Sequence, residues 1–139
     1  MTAAHLDTLP RIPAAGPDEI TWTPIRHALG IGAFGVNAWH ADAGGLVIEE
    51  HDEIPEPGVD EFEPHEELYL VLSGSARFTI DGTEVDAGAG TLLALAPERR
   101  RGAVATADGT TVLAVGAPRG EAFRPSAWER RAVQQAGLG

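Results

Sequence analysis

"HEELYLVLSGSARFTIDGTEVDAGAGTLLAL", residues 65–95, decides how this chain folds. Side chains alternate along a strand, so Glu67, Tyr69 and Val71 share one face, and the apolar run Glu67–Ser73 reads as a buried strand that ends at Gly74. Asp81-Gly82 supplies the two positive φ angles of a type I′ turn, and β-formers flank it in Ala76–Ile80 and Thr83–Asp86. A further strand is expected over Thr91–Ala96.

Working outward, candidate strands continue upstream as Gly35–Ala41 and Leu46–Asp52, and downstream as Ala103–Ala107 and Thr110–Val115. Short apolar segments separated by glycine predict an all-β sandwich or barrel rather than a parallel α/β sheet. Ser126-Ala127-Trp128-Glu129 is a capping box that opens a short C-terminal helix through about Gln135. "PIRHALG", residues 24–30, reads as another helical turn. Residues 1–19 are rich in Ala and Pro without a sustained period, the pattern of a flexible N-terminal arm. The expected organisation is therefore an arm over 1–19, a barrel over 20–124, and a helix and tail over 125–139.

Bulk properties narrow the function. The 139 residues suit one domain, and none of the apolar runs is long enough for a membrane span. The first residues lack a basic start followed by an apolar stretch, so no secretion signal is expected and the cytoplasm is the expected location. With no cysteine there are no disulfides and no thiolate chemistry. All ten basic residues are arginine, which rules out a lysine Schiff base. A net charge of −11 opposes nucleic acid and anionic membrane surfaces alike.

Ten of the 21 acidic residues crowd into 44–74, beside the buried strand. Part of that crowding is "IPEPGVDEFEP", residues 54–64, whose three prolines and glycine cannot continue a central strand. It is a loop, read either as a solvated connection or as a lid over a cavity mouth. Just before it, His51 and Glu53 share a face. If their strand neighbours the one carrying Glu67, an imidazole and two carboxylates converge, the ligand types that hold iron, manganese, nickel or zinc. The plain alternative is a solvated strand end. His65 completes such a set from the loop, provided its strand already begins there.

The arginine cluster Arg99-Arg100-Arg101 has three readings: a surface turn, a partner for the acidic loop, or, at Arg101, a planar fork that anchors a ligand's carboxylate or phenolate. Trp39 and Tyr69 are candidates to line a ligand pocket, while Trp22 and Trp128 read as clamps for the terminal segments. Packing is the default role of all four aromatics. His5, His27 and His40 are read as surface or packing histidines.

From Gly45 to Pro118 the chain resembles the cupins, small double-stranded β-helix (jelly-roll) barrels. The first cupin motif runs Gly, five residues, His-x-His, three or four residues, Glu, six residues, Gly; here it reads Gly45, five residues, His51-Asp52-Glu53, a 13-residue interval, Glu67, six residues, Gly74. Glu53 thus stands where the motif has its second histidine. A different threading through "EFEPHEE" puts Glu61 and Glu63 at the two histidine positions. The second motif should close with a histidine ligand, but counting from Gly90 puts Arg101 there, counting from Pro97 puts Gly102 there, and no histidine follows His65.

The resemblance implies a small organic ligand or substrate inside the barrel, with His51, Glu53, Glu67 and His65 as a variant site for one divalent metal (Fe, Mn, Ni or Zn). It also implies a homodimer, for which residues 1–19 are a candidate arm. An inward Arg101 and a divalent cation repel each other, so either Arg101 turns in and pairs with Glu53 and Glu67, or a metal binds and Arg101 turns out. Three functions follow: an enzyme, with metal an oxygenase or isomerase and without it an acid/base isomerase or cyclase using Glu53, Glu67 and His51; a binding or sensing module; or a filled barrel that only dimerises or binds a protein.

Overall fold

The computed structural model describes residues 1–16, 19–59 and 63–139. In chain order the strands are β1 (Thr21–Thr23), β2 (Gly35–Ala41), β3 (Leu46–His51), β4 (His65–Ser73), β5 (Ser75–Ile80), β6 (Thr83–Gly88), β7 (Leu92–Leu95), β8 (Arg101–Ala105) and β9 (Thr110–Pro118). Among the described residues they are accompanied by two α-helices, α1 (Ile25–Leu29) and α2 (Ala127–Gln135), and a 3-10 turn at Leu6–Thr8. All pairings are antiparallel, in one sheet ordered β1-β2-β9-β4-β7 and another ordered β3-β8-β5-β6. This is the all-β architecture that the alternation predicts. Among the described residues no helix is long and apolar enough to cross a membrane.

Local chemistry explains the corners. Asp81 and Gly82 adopt φ 47° and 81°, as the type I′ turn between β5 and β6 requires. Gly74 turns β4 into β5 with φ 70°, and a Cβ there would fall 2.3 Å from Thr110 Oγ1. That hydroxyl accepts from Ser75 N and lies within hydrogen-bond reach of the carbonyls of Ser75 and Ala107, tying the two sheets together at this corner.

Between the sheets lies the main core, built around Val47, Ile48, Tyr69, Val71, Phe78 and Val112. A second apolar cluster covers the outer face of β2 and β9, where Leu6 and Leu9 of the N-terminal segment join Ile25, Val36, Leu113 and Val115. Trp22 stacks on Trp39 at 5.3 Å between centroids and meets Trp128 of α2 at 4.9 Å, so the C-terminal helix is seated on aromatic rings. Ser126 caps α2 by accepting from Glu129 N at 3.1 Å. The Glu129 side chain does not complete a reciprocal box; it is buried and accepts from Arg26 Nε at 2.5 Å.

His40 is buried, with Nε2 2.8 Å from Thr23 Oγ1 and Nδ1 3.0 Å from Thr111 Oγ1. Burial foremost, then the charge of Arg11, lowers its pKa to about 4. His27 meets the Leu138 carbonyl at 2.8 Å, and His5 lies exposed in the N-terminal segment.

Candidate functional site at the barrel mouth

Register brings the site together from both sheets. In the first, Gly35, Gly116, Glu67 and Leu95 lie side by side across β2, β9, β4 and β7. The next inward-facing row is Asn37, Ala114, Tyr69 and Leu93. In the second sheet Arg101 pairs with His51 on one side and Ile80 on the other. Glu53 lies just past β3, where its N–H donates to the Pro97 carbonyl at 2.9 Å.

His51 and Glu53 form the outer pair. His51 Nδ1 lies 2.6 Å from the Glu49 carbonyl, which only accepts, so Nδ1 carries a proton. Its Nε2 lies 2.9 Å from Glu53 Oε1. Burial alone would lower the His51 pKa, but the hydrogen bonds to Glu53 and Glu49 and the charges of Glu53 and Glu67 raise it overall. Burial would raise Glu53, but its bond to His51 and that residue's charge bring it below the usual carboxylate range. Both shifts favour the imidazolium–carboxylate form of the pair.

Glu67 is the inner acid. Burial first, and then the charge of Glu53, push its pKa up to about 7. Its Oε1 accepts from the Tyr69 hydroxyl at 2.7 Å, and Arg101 Nε lies 3.9 Å from the same oxygen. Burial, with the Glu67 charge next, drives the Tyr69 phenol well above its ordinary range, so that hydroxyl keeps its proton. Burial holds the Glu67 proton on, while Tyr69 and Arg101 favour the ionised form; the carboxyl is poised between its two states.

Arg101 points inward and is 0% exposed. Its Nη2 donates to the Ala96 carbonyl at 3.1 Å, but among the described residues Nε and Nη1 have no hydrogen-bond acceptor. Arg99 and Arg100 turn outward, to Asp81 at 2.5 Å and Glu50 at 3.2 Å.

His65 begins β4 and its side chain is as buried as that of Glu67, with Nδ1 4.0 Å from Glu53 Oε2 and its ring 5.5 Å from that of Phe123. Burial lowers its pKa, partly opposed by Glu53. Trp39 is placed elsewhere: it lies beside Val112, in the row of Val71, two rows from Glu67. Of the alternative threading, Glu61 lies outside the described residues, and Glu63 is exposed on an open groove of about 430 Å³ that also touches Glu66, Glu98 and Arg119.

Three contributors are not apparent from the sequence reading. A Cβ on Gly116 would meet Glu67 Cγ at 3.1 Å, so the glycine makes room for the acid; a glycine inside a strand pattern signals such an approach. Asn37 stands on the inward parity of β2, and its buried Oδ1 has no partner among the described residues. A polar residue between Gly35 and Trp39 was the available signal. Phe123 covers Gly35, where a Cβ would lie 3.3 Å from the ring, and nothing in its local sequence marks that role.

One ligand atom each from His51, Glu53 and Glu67 lie within 4.8 Å of one another, so by distance this group can hold an ion. The charge of Arg101 weakens the site for a divalent cation. An ion about 2.1 Å from Glu67 Oε1 would lie within about 6 Å of Arg101 Nε, which is 3.9 Å from that oxygen. At an effective dielectric near 20 Arg101 alone repels such an ion by at least about 5 kcal/mol, which offsets part of the attraction of the two carboxylates. The donor atoms suit a metal; the buried guanidinium beside them does not.

Neither a family model nor a curated protein matches the chain. Solved structures do. The chain is similar to KdgF from Halomonas sp., with a TM-score of 0.62 and 18% identity over 81% of this chain and 91% of that one. A cupin-superfamily sugar phosphate isomerase from Silicibacter pomeroyi superimposes with a TM-score of 0.64 and 21% identity, covering 89% of this chain and 76% of that one. An uncharacterised double-stranded β-helix protein from Klebsiella pneumoniae gives 0.64 and 21%, over 89% and 96%. The fold is the cupin double-stranded β-helix.

Proposed function

We propose that this cupin-fold protein acts on a small organic molecule at the barrel mouth by proton transfer, without a resident divalent metal. The observation that carries the reading is the buried Arg101 guanidinium, 3.9 Å from Glu67, at the position where one of the two counts of the second cupin motif places its closing ligand. Two internal cations, His51 and Arg101, face two carboxyls, Glu53 and Glu67, so internal charges take the place a metal would fill.

Glu67 is the group that moves the proton. A general acid or base works best with a pKa near the operating pH, and this one is pushed up to about 7. Arg101 and Tyr69 stabilise its ionised state, and the His51–Glu53 pair supplies a charged dipole for a developing oxyanion. A similar fold is described as a sugar phosphate isomerase, and isomerisation is proton-transfer chemistry. The likeness supports the reaction class and not the substrate.

The test is hydrogen–deuterium exchange, followed by proton NMR, into a set of small oxo acids and sugars in heavy water. Exchange at the carbon beside a carbonyl, catalysed by the wild type and lost in Glu67→Gln, is expected. If ligands bind without exchange, the molecule is instead a metal-free binding or sensing barrel with the same residues.

The reading also takes the protein as a cytoplasmic homodimer. Leu68 and Leu72 of β4 and Leu92 of β7, the edge strand of its sheet, are 40%, 44% and 60% exposed, an apolar face suited to a second copy. Sedimentation equilibrium tests this, with Leu92→Glu expected to shift the species to monomer.

A further inference from the structure

Two buried polar groups near the site lack partners among the described residues, and they are complementary in kind. Arg101 has donors on Nε and Nη1 without acceptors, although it is 0% exposed. Asn37 has an acceptor, Oδ1, without a donor. Buried polar groups are ordinarily satisfied, and a guanidinium cannot shed its charge to escape the requirement. The 3.9 Å from Arg101 Nε to Glu67 Oε1 is too long for a hydrogen bond, so Glu67 does not satisfy the fork.

We infer that the barrel mouth receives a small organic carboxylate carrying a hydroxyl: the carboxylate accepts from the free N–H groups of Arg101, and the hydroxyl donates to Asn37 Oδ1. Nη2 carries a second N–H beyond the one it gives to Ala96, and with Nε or Nη1 it presents the planar donor fork that the two coplanar oxygens of a carboxylate fit. Asn37 sits in the row of Tyr69, separated from it by Ala114, that is, by two strand spacings of about 4.8 Å each. Arg101 stands on β8 of the other sheet, so the two anchors suit opposite ends of a short chain rather than adjacent atoms. His51, whose side chain is 39% exposed, lies at the opening, with Glu67 at 13% behind it.

A phosphate ester fits less well. Its second negative charge would face Glu53 and Glu67 with only Arg101 and His51 to offset three or four negative charges. The ligand class is a monoanionic hydroxy acid. This deepens the proton-transfer reading by naming its substrate class and uses the same residues, but the two fail separately. Loss of exchange chemistry leaves carboxylate binding intact, and loss of carboxylate selectivity leaves Glu67 able to exchange protons on a neutral sugar.

The experiment titrates the protein with glycolate, 3-hydroxypropionate and 4-hydroxybutyrate, with their neutral amides, and with the corresponding acids lacking the hydroxyl, following the Arg101 Nε–H resonance by NMR. The carboxylates should bind at least about tenfold more tightly than the amides. Arg101→Gln should abolish that difference. Arg101→Lys, which keeps the charge but loses the fork, should retain a fraction of it and guards against a Gln variant that does not fold. Asn37→Ala should remove the preference for hydroxy acids over plain acids. Equal binding of amides and acids by the wild type, carboxylate selectivity that survives in folded Arg101→Gln, or binding of inorganic phosphate in place of the acids would each overturn the proposal.

Discussion

Arg101 Nε lies 3.9 Å from Glu67 Oε1, inside the barrel, with the arginine wholly buried. The strand that begins at Arg101 runs antiparallel to the one that ends at His51, so the cation and the imidazole enter the cluster from adjacent backbones. That single relationship sets the electrostatics of the site. It gives Glu67 a counter-charge for its ionised form and places a fixed positive charge where a divalent ion would feel it.

The metal content of the protein follows. The wild type is expected to retain less than stoichiometric divalent metal after purification without an affinity tag. Arg101→His removes the cation and adds an imidazole to the His51, Glu53 and Glu67 set, so it should gain binding of iron, nickel, manganese or zinc. Elemental analysis and the visible spectrum of a cobalt-loaded sample check both. Stoichiometric metal in the wild type that disappears in Glu67→Ala would refute the charge argument.

Glu67 should cost the fold stability at neutral pH. Its folded pKa is raised from 4.5 to about 7, so between those values the unfolded chain has released a proton that the folded chain keeps. Stability therefore falls as pH rises from about 4.5 through 7, by up to about 3 kcal/mol. Glu67→Gln removes that loss. Urea denaturation should find the variant and wild type alike near pH 4 and the variant more stable near pH 8. A variant less stable at both would mean that the carboxylate's bonds outweigh its burial.

Much of this was legible in the sequence, and the illegible part has physical causes. Alternation in "LYLVL" and "ARFTI" reveals β4 and β5 because one face of each is buried, while β6, where Ala87 alone is buried, is revealed by the Asp81-Gly82 turn. β1, at Thr21–Thr23, is too short to show a period. His51, Glu53, Glu67, Tyr69 and Arg101 were each identifiable as site candidates, but the direction of Arg101 was not. β3 breaks register between Leu46 and Ile48 and again between Ile48 and His51, so parity counted along it does not carry through to His51 or its partner. Asn37 and Phe123 reach the site through a neighbouring strand and an irregular segment, relationships that exist only once the sheets are assembled.

His40 should give the opposite pH dependence from Glu67. It is buried between Thr23 and Thr111, with its pKa lowered from 6.5 to about 4 by burial first and by Arg11 second, while Asp7 partly opposes the shift. The unfolded chain therefore takes up a proton at a higher pH than the folded one. Stability is full above about pH 6.5 and falls as pH drops through 4, a loss on the order of 3 kcal/mol. Thermal melts between those pH values should show the slope, and His40→Gln should flatten it. An unchanged slope in the variant would assign acid sensitivity elsewhere.

Gly116→Ala separates packing from site geometry. The added Cβ would sit 3.1 Å from Glu67 Cγ and 3.1 Å from the Glu66 carbonyl, closer than ordinary contact. Crowding of this kind costs about 1–3 kcal/mol, which the melting temperature will show. Glu67 is the neighbour free to give, and moving it draws Oε1 away from the Tyr69 hydroxyl, now at 2.7 Å. That hydroxyl stabilises the carboxylate, so its loss should raise the Glu67 pKa above the wild-type value of about 7. Carbon-13 NMR of the glutamate carboxyls measures the shift directly. Tyr69→Phe should raise the same pKa by removing the donor, and the double variant should rise little beyond either single one, because both act on one hydrogen bond. Fully additive shifts would show that the glycine positions Glu67 by another route. An unchanged titration with lowered stability would reduce Gly116 to a packing residue.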